Sequence, residues 1–161
     1  MVDEQIVVSK DVDRWLDANK SDIDWNYWKA YEDYLISEGR EQIVIEKNEA
    51  VIDSILDLSG NPKRDEASWK IRGLVMGSVQ SGKTQNYIGL INKAMDCGYK
   101  VIILLGGGNS NDLRVQTQVR VDEGVIGKRS KHLMNQALGN NNDFGVGKFR
   151  DPNLIVNTLT S

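Results

Sequence analysis

This 161-residue sequence is short of several residue types, and each shortage excludes a class of protein. A single cysteine, Cys97, excludes a disulfide within the chain and is typical of a small buried apolar position. A single histidine, His132, excludes a histidine-rich metal site, and it leaves serine or cysteine nucleophiles without an evident base. No apolar run approaches the roughly 20 residues that a membrane-spanning helix needs.

The chain also lacks an excess of positive charge, since acidic residues slightly outnumber basic ones. The chain carries a formal net charge of −3 and has a pI near 5.2, so no broad basic field predicts nucleic-acid binding. A motor protein can still bind nucleic acid through a local groove. The acidic start, Met1 to Glu4, lacks the positive region of a signal peptide. We therefore expect a cytoplasmic protein that makes no contact with membranes.

What the sequence does contain is a full match to G-x-x-x-x-G-K-[ST], the P-loop or Walker A motif. Glycines in such a loop let backbone N–H groups turn inward around phosphate oxygens, and a Cβ at Gly77 or Gly82 is expected to crowd that turn. The loop then opens a helix, whose N-terminal N–H groups favour the same anion. Lys83, the predicted catalytic residue, would reach the β- and γ-phosphates, and the Thr84 hydroxyl would bind Mg²⁺. The predicted ATP-binding residues are Gly77, Ser78, Val79, Gln80, Ser81, Gly82, Lys83 and Thr84.

The residues around the motif fit strand, loop, helix and strand, in that order. Residues 74–76 and 101–105 are short apolar runs typical of buried strands. Between them, apolar residues recur at helical spacing, and Gly98 predicts the end of that helix. Residues 154–158 are a third strand candidate. The predicted fold class is therefore α/β, a P-loop NTPase with a partial parallel sheet flanked by helices. The family resemblance given below implies the RecA or helicase type of this fold.

Helices are also predicted before this unit. One helix, N-capped by Asp24, presents an aromatic stripe that at this spacing favours core packing over base stacking: Trp25, Trp28, Tyr31 and Leu35. A second helix is predicted over residues 47–58, and the charged residues 61–66 mark a boundary. We therefore predict an N-terminal helical extension at residues 1–66 and the first part of a P-loop NTPase domain at residues 67–161.

A polar helix is predicted after the second strand candidate. Such a segment is normally a solvated face, but helicase-type motors place groups that contact nucleic acid here, so Arg114, Gln116 and Gln118 are candidate nucleic-acid contacts. An ATPase core also needs a Walker B acid, at the end of an apolar strand, to hold Mg²⁺. Asp122 and Glu123 are the nearest acidic pair, but they are predicted to end a helix. We therefore expect a domain truncated before Walker B, with the remainder of a longer polypeptide supplying hydrolysis.

Two stretches are more specific than a bare P-loop, namely Val-Gln-Ser-Gly-Lys-Thr at residues 79–84 and Gln-Thr-Gln at residues 116–118. With them, residues 69–127 resemble the Z-one domain family of candidate endonucleases. These are large bacterial and phage-type proteins with a core like that of superfamily-two helicases. The resemblance implies the ATP-binding lobe of a helicase-like, DNA-directed ATPase associated with an endonuclease, in restriction or phage defence. It also implies ATP and magnesium as cofactors.

Other functions remain open. A non-catalytic nucleotide-binding or scaffolding fragment is the main alternative, because no hydrolytic acid is evident. A small P-loop kinase would need a lid and an acceptor site, for which the remaining sheet is too short. A GTPase would need Asn-Lys-x-Asp, and residues 92–96 miss that spacing by one residue. The expected partners are the rest of a longer polypeptide, DNA, and a second copy through an open sheet edge.

Overall fold

The computed structural model describes residues 14–64, 71–76, 82–105, 111–128, 144–154 and 156. Helices joined by short turns make up the ordered elements of this part of the chain. Their bounds are α1 Leu16–Asn19, a 3₁₀ helix Lys20–Asp22, α2 Asn26–Ser37, α3 Gln42–Asp57, α4 Lys83–Cys97, α5 Asn111–Val121, a π-helix Asp122–Ile126 that continues α5, and a 3₁₀ helix Gly145–Lys148.

Helix α4 is the element against which α2, α3 and the π-helix pack. Its predicted end is confirmed, because Gly98 follows the last helical residue with φ +99°, a conformation that glycine adopts without strain. The N–H of Gly98 bonds to the carbonyl of Met95, and the N–H of Tyr99 bonds to that of Ala94, both at 3.0 Å. These two bonds form a Schellman motif, which satisfies carbonyl groups at the end of the helix.

Helices α2 and α3 cover one side of α4 closely. A Cβ at Gly89 of α4 would come 2.5 Å from Ile52 Cδ1 and 3.0 Å from Trp28 Cζ3, so only glycine fits there without a shift. The aromatic stripe of α2 is core as predicted, and its buried members are Trp28, Tyr31 and Leu35. Burial of a large apolar side chain contributes about 1.5–3 kcal/mol, so this interface is a main source of stability.

Distant carboxylates cap the starts of α1 and α2. Asp57, at the end of α3, accepts the N–H groups of Trp15 and Leu16 at 2.8 Å each. Asp96, near the end of α4, accepts the N–H groups of Tyr27 and Trp28 at 2.9 and 2.8 Å. The prediction of Asp24 as the cap of α2 is wrong, since Trp25 is the N-cap residue and provides no side-chain bond.

The π-helix after α5 has its carbonyl groups bonded by side chains from other elements. Asn92 of α4 donates from Nδ2 to the carbonyl of Gly124 at 2.8 Å. Arg150 donates to the carbonyls of Val125 and Ile126 at 2.6 and 3.3 Å. Because a π-helix is rare and usually short, these bonds from outside help to hold it in place.

The predicted α/β fold is wrong for the described residues. Residues 74–76 and 101–105, expected as buried strands, form neither strand nor helix there, and no parallel sheet is present among the described residues. The physical reason is that helices cover α4 where a sheet was expected, and an apolar run does not reveal by itself whether it is buried. Of the third strand candidate, Leu154 and Val156 are half-buried, and residues 155, 157 and 158 lie outside the described residues.

The hydrophobic core crosses the predicted boundary near residue 66. Trp15, Trp28 and Ile52 from before it join Ile88 and Val146 from after it in one cluster. The division into residues 1–66 and 67–161 stays a prediction about the sequence, and its two parts share this core. No helix in the described part of the chain has both the length and the apolar character needed to cross a membrane.

Candidate phosphate-binding site

The described part of the predicted ATP-binding motif is its end, which forms the start of α4. Gly82 precedes the helix, and Lys83 and Thr84 are its first residues, all three of them exposed. The first turn contains no acidic residue, and Gly82 makes no side-chain cap. The positive end of the helix dipole therefore lies beside a lysine and a hydroxyl, which suits an anion. The remaining motif residues, Gly77, Ser78, Val79, Gln80 and Ser81, lie outside the described residues.

Glycine at position 82 is needed for its backbone conformation. Its φ is +80°, in the left-handed region that other residues adopt only with strain. A Cβ built on Gly82 meets no atom of the described residues within 4 Å. The positive φ agrees with the need for glycine at this position, where another residue would cost about 1 kcal/mol of backbone strain. Whether a Cβ at Gly77 or Gly82 would also crowd the turn stays a prediction, because the rest of the turn lies outside the described residues.

The Thr84 side chain lies beside a phenol on its own helix, that of Tyr87 one turn further along α4. Burial raises the pKa of Tyr87, and the neighbouring Thr84 hydroxyl partly opposes that rise. As a magnesium ligand, Thr84 would exchange this contact for the metal, and a single neutral hydrogen bond contributes only about 1 kcal/mol.

A second positive charge approaches the first turns of α4 from the neighbouring helix. Gly124 packs against Ile88, since a Cβ at Gly124 would come 2.6 Å from Ile88 Cγ2, and Arg120 lies one turn earlier. The Arg120 side chain is 64% exposed, with Nη1 3.5 Å from an oxygen of Glu123. Burial raises the pKa of Tyr87 on α4, and the charge of Arg120 partly opposes that rise. Lys83 is on the same face, four residues before Tyr87.

The three candidate nucleic-acid residues have different surroundings. Arg114 and Gln116 are exposed on α5. Gln118 is half-buried, and its Nε2 donates to Oδ1 of Asp122 at 2.7 Å. Gln118 therefore supports a buried carboxylate, and a nucleic acid would have to break that bond to engage it. Contact of these residues with DNA stays a prediction.

The acidic pair considered for Walker B lies in the π-helix. Asp122 is fully buried, and Glu123 pairs with Arg120. The pair follows α5 directly, so the prediction that it ends a helix, and does not follow a strand, agrees with the described structure. The described residues contain no group of three His, Cys, Asp or Glu side chains that could hold a metal ion. Magnesium, expected with the nucleotide at Thr84, stays a prediction.

Sequence reasoning missed a charged cluster further along α4, built around Lys93. This side chain is fully buried, and Nζ lies 2.6 Å from Glu49 Oε1 and 2.5 Å from Asp53 Oδ1. The ammonium also lies 4.6 and 4.8 Å from the ring centroids of Trp25 and Trp28. The spacing within each pair was a signal in the sequence. Glu49 and Asp53 are four residues apart and Trp25 and Trp28 are three apart, so the two members of each pair lie on the same side of the chain. Their common partner was not evident from spacing alone.

Asp96 and Cys97 are the last two residues of α4. Burial raises the pKa of Asp96 to about 6, although the N–H groups that it accepts and the nearby Lys93 ammonium oppose that rise. Burial also raises the pKa of the Cys97 thiol to about 12. Cys97 is fully buried, so its predicted role as a small core residue is confirmed.

No protein-family model, curated protein or solved structure matches this chain. The likeness to the Z-one domain family therefore stays a prediction from the residues quoted for it. The features of the chain that bear on function are the geometry at the start of α4 and the sequence motif that leads into it.

Proposed function

We propose that this chain is the ATP-binding lobe of a helicase-like, DNA-directed ATPase associated with an endonuclease, acting in the cytoplasm. ATP with magnesium would bind at the start of α4. The observation that supports this most is the exposed helix start, where Gly82 in the left-handed conformation is followed by Lys83 and Thr84 with no acid in the first turn. These residues are the Gly-Lys-Thr end of a full Walker A motif.

The residues present suit a triphosphate. The N–H groups of the first turn of α4 would donate to phosphate oxygens, and Lys83 would add a point charge to them. Thr84 would turn its hydroxyl from Tyr87 to magnesium, which neutralises phosphate charge when bound. Arg120, exposed near the same face, adds a further positive charge to the surroundings of the site.

DNA is the proposed macromolecular partner. Arg114 and Gln116 are exposed on α5. Helices α4 and α5 contact each other, so a nucleic acid bound along α5 would lie on the helix next to the one that starts at the nucleotide site. Part of the DNA affinity would come from phosphate contacts and would fall with rising salt concentration.

A non-catalytic nucleotide-binding or scaffolding role is the second candidate. It is favoured by the burial of Asp122, because a carboxylate enclosed in the π-helix and bonded to Gln118 is poorly placed to reach a nucleotide. Under this alternative, ATP would bind and stabilise the chain without being hydrolysed.

Calorimetric titration of ATP·Mg²⁺ and GTP·Mg²⁺ tests the proposal, with Lys83→Ala as the variant. Lys100→Ala is the matched control, since Lys100 is an exposed lysine just beyond the other end of α4. We expect ATP binding by the wild type and the control, and at least a tenfold weaker affinity for Lys83→Ala, because a charge-assisted phosphate contact is lost. Absence of binding to the folded wild type, or equal affinity in Lys83→Ala, would contradict the proposal.

ATP turnover measured on the same samples tests the non-catalytic candidate. We expect none above background from this chain, in keeping with the buried Asp122. Turnover that Lys83→Ala abolishes would exclude the non-catalytic candidate, whereas binding without turnover agrees with both candidates, because the lobe is expected to need the remainder of a longer polypeptide for hydrolysis.

A further inference from the structure

A short stretch between α4 and α5 exposes five consecutive large apolar side chains. Their exposed fractions are 77% for Val101, 40% for Ile102, 77% for Ile103, 43% for Leu104 and 91% for Leu105. Scattered exposed apolar residues are normal, but a contiguous exposed set marks an interaction surface. We call this surface the 101–105 segment.

The exposure alternates along the segment. Val101, Ile103 and Leu105 are more exposed than the two residues between them. This is the period of a strand, and β-branched residues such as these favour strand pairing. No backbone hydrogen bond joins the segment to another described residue. It also contains no charge and no proline, the features by which proteins usually protect such an edge.

We propose that the 101–105 segment is a self-association surface, and that it is covered by the same segment of a second copy running antiparallel. A two-fold pairing places identical patches against each other, and an uncharged apolar segment is complementary to itself. This proposal does not depend on nucleotide binding.

The area agrees with a weak dimer. The segment exposes on the order of 600 Å² per copy, and because alternate side chains of a strand lie on opposite faces, edge-to-edge pairing covers about half of that surface. A pair would then bury roughly 600 Å², the size of a weak interface, which fits association in the micromolar range.

Sedimentation velocity from low to high micromolar concentration tests the proposal. We expect the wild type to shift from monomer to dimer and Ile103→Lys to remain a monomer, because two ammonium groups would meet at the centre of the pairing. Leu113→Lys is the control, since Leu113 is an exposed apolar residue of α5 outside the segment, and this variant should dimerise like the wild type. A wild type that stays monomeric, or a dimer that survives Ile103→Lys, would overturn the proposal.

Cross-linking tests the register. Antiparallel pairing centred on Ile103 places the two copies of this residue opposite each other, within reach of a disulfide. The two copies of Leu105 would be roughly 13 Å apart. Under mild oxidation we expect rapid dimer formation by Ile103→Cys and little by Leu105→Cys, while the native Cys97 stays buried. Equal cross-linking of the two variants would overturn the antiparallel register.

Discussion

Helix α4 carries two lysines nearly three turns apart, and they differ in burial. Lys83 is exposed at the first turn, in a stretch without acidic residues. Lys93 is fully buried, with two carboxylates and two indole rings around its ammonium group. A charge buried in this way needs partners to offset the loss of water, so Lys93 is committed to the fold. Lys83 is accessible to a bound anion.

The same contrast divides the helix as a whole. The side that faces α2 and α3 is crowded, as Gly89 shows, whereas a Cβ on Gly82 at the helix start meets no atom of the described residues within 4 Å. Substitutions on the crowded side should therefore change the free energy of unfolding, and those at the start should change ligand affinity. Each prediction below tests one part of this division.

The largest effect is expected for Lys93→Met. Methionine keeps most of the side-chain volume but removes the ammonium, leaving Glu49 and Asp53 without this partner. We expect the free energy of unfolding to fall by about 3 kcal/mol, the lower end for a broken buried pair, since both carboxylates retain some contact with water. Urea denaturation followed by circular dichroism measures the change.

Two further variants sharpen this test. Lys83→Met makes the same chemical change at the exposed site and should alter the free energy of unfolding by less than about 0.5 kcal/mol. Adding Glu49→Gln and Asp53→Asn to Lys93→Met should recover part of the lost stability, because no buried charge is then left unpaired. Equal losses from Lys83→Met and Lys93→Met would break the comparison.

A smaller effect is expected for Gly89→Ala. The added methyl group would meet Ile52 and Trp28, and the strain is partly offset by the better helix propensity of alanine. We expect a loss of about 1–2 kcal/mol in urea denaturation with unchanged ATP affinity.

Gly82→Ala is the counterpart at the helix start. There the cost is backbone strain of about 1 kcal/mol, and the main consequence should be weaker ATP binding. An ATP affinity that falls for Gly89→Ala and not for Gly82→Ala would contradict the division of α4 into a side that stabilises the fold and a start that binds the ligand.

The smallest effect concerns pH. The pKa of Asp96 is raised from 3.8 to about 6 by burial, so between these values the folded chain holds a proton that the unfolded chain does not. The contribution of Asp96 to stability is therefore fully present below pH 4 and is lost as the pH rises through 6. Relative to the wild type, Asp96→Asn should lose less stability at pH 7 than at pH 5.

Urea denaturation of both proteins at the two pH values measures this difference. Asp17→Asn, which removes an exposed acid of α1, is the control for a general change of charge and should leave the pH dependence of the wild type in place. A difference between Asp96→Asn and the wild type that is the same at both pH values would show that Asp96 does not contribute to the pH dependence.

Local patterns predicted much of the helical structure. The core face of α2 followed from spacing and the end of α4 at Gly98 from glycine conformation, and the polar helix predicted after the second strand candidate is α5. The predicted sheet did not, because residues 101–105 have the composition of a buried strand and lie exposed. Composition reports what a segment would favour, and burial depends on what the rest of the chain places next to it.

The features that the sequence did not reveal are those made by distant residues. Asp57 caps α1 from 42 residues away and Asp96 caps α2 from 69 residues away, so no local capping pattern exists to be recognised. Both N-cap residues are tryptophans, Trp15 and Trp25, which provide no side-chain cap. At the candidate site the motif identified Lys83 and Thr84, whereas the approach of Arg120 depends on how α5 packs on α4.

The shared core also has a consequence for synthesis of the chain on the ribosome. Helices α2 and α3 are made first, but Trp28 and Ile52 have their packing partner only when α4 has emerged. At about 5–20 residues per second, the stretch from the end of α3 to the end of α4 takes seconds to make, and during that time these apolar faces are open to chaperones. During the same time, Glu49 and Asp53 are without the Lys93 ammonium that pairs with them in the folded chain. Cooperative folding of the helical part should therefore begin only after residue 93 has left the exit tunnel.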